Sequence, residues 1–285
     1  MRNHLLPALA VAALLNAVGA VHAADLIEPS YEAPAPISTS GWYLRGDVGL
    51  VMRSKNSGDW DFYNQLPGVE GIDDTHKYES LEIDRAASFG GGLGYRFTDQ
   101  LRADATVDYF KADVDGQTPC PFMVKTNPDG LALPFDAECN LKGSTEVAVW
   151  TAMANAYVDI GHFGPVTPYI GAGIGAAHVK YSDYEEDQVC GAPFSCPYTG
   201  THDGMGSWRF ASSLMAGATV DLTAQLKLDA GYRYTRIEGG DAYGYDAADS
   251  SFGATGTQGR DSGLDIHTVR AGLRYEFGGG PGFGL

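Results

Sequence analysis

The feature that most restricts this chain is a set of eight segments in which apolar and polar residues alternate one by one. They cover 42–52, 85–97, 101–111, 147–160, 167–181, 208–222, 226–238 and 267–277. That period belongs to the β-strand, whose successive side chains point to opposite faces. In the first, Trp42, Leu44, Val48 and Leu50 share one face and Arg45 and Asp47 the other. The third sets Leu101, Ala103, Ala105, Val107 and Tyr109 against Arg102, Asp104, Thr106 and Asp108. The last alternates Val269, Ala271, Leu273, Tyr275 and Phe277 with Arg270, Gly272, Arg274 and Glu276. In the fifth, Ile170, Ala172, Ile174 and Ala176 oppose Gly171, Gly173 and Gly175, and the pattern leaves open which face looks outward.

The connections alternate as well. Segments two and three, four and five, and six and seven are joined by about three to six residues, the other neighbours by about 26 to 35. A soluble sandwich has no reason to confine long loops to every second connection, whereas an outer-membrane barrel does so by construction. The charged faces point the same way. They are costly in a dry β-core but pair with one another inside a narrow barrel. The predicted fold is therefore all-β: an eight-stranded antiparallel up-and-down transmembrane β-barrel over 41–277, with short periplasmic turns and four long extracellular loops. In its lumen Arg45, Arg102, Arg209, Arg233, Arg270 and Arg274 are expected to meet Asp47, Asp104, Asp108, Asp221, Asp229 and Glu276. Trp42, Phe97, Tyr109, Trp208, Tyr232, Tyr234, Tyr275 and Phe277 are expected to form aromatic girdles at the two lipid–water boundaries.

Composition fits that reading. The 285 residues hold 38 glycines, against roughly 7% in an average protein, and many fall on the charged faces. A mean hydropathy of −0.17 excludes a bundle of membrane helices. It is compatible with strands that average an apolar and a polar face. The net charge of −17 argues against a nucleic-acid partner, which requires a basic surface.

The first 23 residues read as a secretory signal: Arg2, an apolar stretch, then Val21-His22-Ala23, with cleavage expected after Ala23. Residues 24–40, with Pro29, Pro34 and Pro36, read as a periplasmic linker, and 278–285 as a glycine-rich extension. Export explains the cysteines. Four of them allow three disulfide connectivities. The local pairing Cys120–Cys139 and Cys190–Cys196 is expected, because each pair then closes one loop. Zinc is not expected, since the spacings are not those of a zinc site.

Signals for chemistry are weak. There is no G-x-S-x-G elbow. Gly171-Ala-Gly173-Ile-Gly175 lacks nucleotide-loop spacing, and its period is that of a strand. Asp183, Glu185, Glu186 and Asp187 offer oxygens of the kind that bind Ca²⁺ or Mg²⁺, without a full ligand loop. They are read as solvated acids. No catalytic residue, cofactor or metal is expected.

Five stretches carry a resemblance: GWYLRGDVG (41–49), FGGGLGYRF (89–97), ANAYVDIG (154–161), PYIGAGIGAA (168–177) and VRAGLRYEF (269–277). In order and spacing they resemble the small outer-membrane β-barrel, or opacity-type porin, proteins of Gram-negative bacteria. The resemblance implies an eight-stranded barrel in the cell outer membrane. It would sit among lipid and lipopolysaccharide, delivered by the barrel-assembly machinery, with a structural role and loops that present a surface to ligands. That family usually ends at the terminal aromatic residue, and here 278–285 follows Phe277. The rival functions are a narrow porin-like channel, a loop-based adhesin or receptor built on residues such as 239–263, and a lipid-modifying enzyme. A soluble lipocalin-like barrel is the rival fold.

Overall fold

The computed structural model describes residues 40–121, 133–134, 137–194, 196 and 199–277. The expected signal sequence, nearly all of the linker and the C-terminal extension lie outside the described residues. Fourteen strands and one helical turn are described: β1 Gly41–Val51, β2 Ser54–Asn56, β3 Gly58–Asn64, β4 Gly71–Lys77, β5 Ser80–Ile83, β6 Ala86–Arg96, β7 Leu101–Pro119, β8 Cys139–Asp159, β9 Val166–Tyr181, β10 Tyr184–Cys190, β11 Thr199–His202, β12 Gly206–Asp221, β13 Leu226–Gly244, α1 Ala247–Ser251 and β14 Thr257–Glu276.

Eight of these close an antiparallel ring in the order β1-β6-β7-β8-β9-β12-β13-β14, with β14 returning to β1. They are the eight expected strands. The three short connections lie at one end. Two use the same device: the hydroxyls of Thr98 and Thr223 accept the N–H groups of the residues two and three places on, and so fold each turn tightly.

The alternation places the apolar faces outward. Trp42, Leu44, Val48, Leu50, Phe89, Leu93, Val107, Trp150, Ile170, Ile174, Phe210, Leu214, Val269 and Leu273 are all exposed. The fifth predicted segment is settled by this: Ile170 and Ile174 look outward and its glycines face the lumen. Glycine is required at the close approaches. A Cβ at Gly94 would coincide with the ring of Tyr43, which crosses the lumen floor.

The wall is taller than expected. β7, β8, β13 and β14 run to 19, 21, 19 and 20 residues, whereas about 9–11 suffice to cross a bilayer. The long connections shrink accordingly, to 120–138 and 245–256 in two cases. The reason is a reversal of polarity along the strands. On β7, Val107 looks outward and Asp108 inward. A few residues later Lys111, Asp113 and Asp115 look outward, and Phe110, Ala112 and Val114 are buried inside. β8 and β9 do the same with Val147, Val149, Val179 and Tyr181. The loop end is thus a barrel with water outside and an apolar core inside. β2 and β5 extend this rim beside β7, β3 pairs with β14 and β4, and β10 pairs with β8 and β11.

Candidate functional site at the loop end and the lumen beneath it

The lumen is filled in two layers. The lower one is a zigzag of alternating charge. Asp104 accepts from Arg45 at 2.9 Å, and Arg45 forks onto Asp47 at 2.7 and 2.9 Å. Asp47 meets Arg270 at 3.1 Å, Arg270 meets Asp108 at 2.9 Å, and Asp108 meets Arg233 at 2.7 Å. Asn155 and Tyr157 also donate to Asp104. Below, Arg274 pairs with Asp229 and lies 5.3 Å over the Tyr43 ring. Arg102 pairs with Asp159 and lies over Tyr157 and Tyr169 at 4.2 and 4.8 Å. Both of these arginines are 0% exposed. Above the charges sits the apolar layer around Phe110, Val149, Ile237, Leu264 and Ile266. A void of about 40 Å³ remains between the layers.

Ten of the twelve expected lumen charges meet in this lower stack. Arg209 does not: it pairs at 2.6 Å with Asp261 in the loop-end half, where it also reaches the Asp241 carbonyl. Asp221 pairs with Lys227 beside the short turn. Three further charges, on strand faces that the alternation turns inward, join the expected set. Asp159, at the end of β8, pairs with Arg102, Arg96 pairs with Glu276, and Lys227 pairs with Asp221. Asp261 lay in a segment read as loop.

The aromatic residues form two outward groups. Trp42, Tyr95, Phe97, Tyr275 and Phe277 contact one another in edge-to-face pairs near the short turns. Higher up, Tyr109 packs on Trp150 at 4.5 Å, Trp208 on His178, and Tyr234 on His267, which also bonds Tyr232. Tyr95, Trp150 and the two histidines pack with aromatic residues expected at the girdles.

The cysteines pair as Cys120–Cys139 and Cys190–Cys196, with Cα separations of 5.4 and 5.8 Å. Cys139 stands opposite Cys190 in the β8–β10 register, so both crosslinks meet at one corner of the rim.

The acidic run 183–187 is not a solvated loop. Asp183 accepts the Gly204 N–H and β10 begins at Tyr184. Strand alternation then splits the candidate cation ligands: Glu185 and Asp187 face water, and Glu186 is buried. Among the described residues no three His, Cys, Asp or Glu side chains converge on a metal position.

Glu186 points instead into a cavity of about 570 Å³ at the loop end. Distant segments wall it, Leu141 of β8, Gln258 of β14 and Tyr78 among them. β3 supplies Trp60 and Phe62, and β10 supplies Tyr184, Glu186 and Gln188. β11 supplies His202. The end of β13 with α1 supplies Tyr243, Asp246 and Asp249. Each is positioned by a local device. A bulge in β13 turns Ala242, Tyr243 and Gly244 inward together. Asp246 caps α1 by accepting the Asp249 N–H at 2.7 Å. Gln65 then donates to the Asp249 carboxylate at 2.8 Å. Gly143 leaves the space that the Tyr184 ring fills. Tyr184 lies 4.6 Å from Tyr243 and 6.1 Å from His202 between ring centroids. Burial, with Asp246 nearby, pushes the Glu186 carboxyl up to about 7. Burial also raises the Asp249 carboxyl and lowers the His202 imidazole. The period-2 alternation of 183–188 was the available signal for β10. It went unread because the inward set, Tyr184, Glu186 and Gln188, includes a carboxylate.

The family model for the outer membrane protein β-barrel domain matches residues 10–277. An uncharacterized protein of Brucella melitensis biotype 1 is 49% identical over 281 residues, 95% of this chain and 97% of its own length. A Rickettsia bellii protein whose given name contains the word adhesin is 25% identical over 244 residues, 85% of this chain and 90% of its own. Among solved structures, Neisserial surface protein A aligns with a TM-score of 0.38 and 18% identity, covering 84% of this chain and 99% of that one.

Proposed function

The chain belongs to the outer membrane protein β-barrel domain family, and on that premise we propose that it is a closed, non-conducting barrel that reinforces the outer membrane and holds a structured surface at its extracellular end. The observation that carries this reading is the filling of the lumen. A zigzag of paired charges and a packed apolar layer lie in series, and ions would have to break both. Eight strands enclose only enough room for side chains. Purified protein in a planar lipid bilayer is expected to give no steady unit conductance. Regular ion-selective steps would replace this reading with that of a narrow pore.

A surface-binding role is the second reading. It is favoured by the extra strands β3, β4, β10 and β11, which give the rim a fixed shape rather than loose loops. The name of the Rickettsia bellii relative points in the same direction. We read the chain as non-catalytic. His162 and His267 are hydrogen-bonded to Thr167 and Tyr232, and His178 packs on Trp208. Export through a signal cleaved after Ala23, lipopolysaccharide packed against the upper aromatic group, and delivery by the barrel-assembly machinery complete the proposal.

A further inference from the structure

The loop-end cavity has features that wall-filling alone does not explain. Its volume is that of a site for a small organic molecule, about 300–1,000 Å³. Its walls are aromatic faces and carboxyl groups, and no Lys or Arg lines it. Three of its polar groups lack a hydrogen-bond partner although their residues are more than nine-tenths buried: Trp60 Nε1, His202 Nδ1 and the Tyr243 hydroxyl. Buried polar groups are normally satisfied, so these three residues stand in the cavity wall with polar capacity unused.

We propose that this cavity binds a small organic cation, an ammonium group attached to a short polar body. The ammonium would lie against Trp60, Tyr184 and Tyr243 with Glu186 as its counter-charge, and the polar body would lie along Gln65 and Gln188. Aromatic faces attract cations through their quadrupoles, most strongly where water is excluded. A hydrated metal ion has no comparable ligand set here. A neutral ligand would leave the acidic wall uncompensated. The site lies above the lumen plug, so its occupancy is independent of whether the barrel conducts.

Glu186 makes the binding pH-dependent. Its register partners, Gly143 on β8 and Gly200 on β11, carry no side chain. The titratable groups sharing the cavity with it are Asp246, Asp249, His202, Tyr63, Tyr78, Tyr184 and Tyr243. With a carboxyl that titrates near 7, ionisation on going from pH 6 to pH 8 raises affinity roughly tenfold. Protonation of His202 on the acid side works in the same direction.

The test uses the full-length protein refolded in detergent, with choline as probe and 3,3-dimethylbutan-1-ol as its uncharged isostere, followed by calorimetry. Choline is expected to bind saturably, more tightly at pH 8 than at pH 6, and the alcohol to bind far more weakly. Glu186→Gln is expected to lose about tenfold in affinity and to abolish the pH step. Trp60→Leu is expected to weaken binding while keeping the step, and it carries the test should the first variant not reach the heat-modifiable folded form. Equal binding of the alcohol, unchanged affinity in Glu186→Gln, or no saturable choline binding would each overturn the proposal.

Discussion

Asp104 shows what one residue does in this lumen. Its carboxylate receives Arg45, Tyr43, Asn155 and Tyr157 and is itself fully shielded from solvent. The net worth of such a buried ion pair is modest, because both charges give up hydration. Removing one partner is different, since the other charge is then stranded. Asp104→Ala is expected to cost about 3–5 kcal/mol, seen as a lower temperature for loss of the compact, fast-migrating form in gels. Asp113→Ala, outward on the same strand, is expected to change nothing measurable. Glu186 gives the opposite case, a carboxyl that burial disfavours in its ionised form. An acid whose folded value is raised holds its proton in the folded state after the unfolded chain has released it. Stability contributed this way is therefore full below the ordinary carboxylate value and is lost as pH rises to about 7. Denaturant titrations at pH 5 and pH 8 should show the decline in the native protein and its absence in Glu186→Gln.

At the scale of the element, β7 is the informative strand, because one continuous run of residues passes from lipid to water without a break in its ladder to β8. Its outward face changes from Val107 and Tyr109 to Lys111, Asp113 and Asp115 within a few residues. A lysine scan along that face is expected to give a step. Ala105→Lys, midway between Leu101 and Tyr109, should cost about 2–4 kcal/mol, the range for a basic side chain near the bilayer midplane, and Val107→Lys less. Asp113→Lys and Asp115→Lys should be close to neutral. A smooth gradient in folding free energy would place the lipid boundary elsewhere. The step also explains which elements were legible in the sequence. The lower strands show an apolar outer face, and their period and sign agree. Above Tyr109 the period persists and the sign inverts, so Phe110, Ala112 and Val114 look like the wrong face of a strand that has ended. Arg209 kept its place on the lumen side, but its partner Asp261 stood in that inverted region and was out of view.

For the whole molecule, the ring of eight strands, its orientation and its two disulfides follow from local pattern, because each strand meets only its neighbours and each crosslink closes one loop. The cavity does not follow. Its walls come from residues near 60–66, 78, 141, 184–188, 202, 243–252 and 258, and no single stretch carries an unusual signal. It exists only because the rim strands are held in register by the barrel below. The lumen network is intermediate: the residue types were plain, and their pairing required the stagger between strands that only closure fixes.

The reversal along β7 and β8 also bears on how the protein reaches its place. The outer half of the wall carries Lys111, Asp113, Asp115 and Lys142 on its exposed surface, and all of it has to travel from one side of the bilayer to the other. Each basic group dragged through hydrocarbon adds about 2–4 kcal/mol to the crossing barrier, so thermal insertion through intact lipid is slow. Unassisted insertion into protein-free vesicles, timed by protease protection, should speed up markedly in thin, defect-rich bilayers. We infer that in the cell this barrel needs a gap held open in the lipid long enough for a water-loving rim to pass.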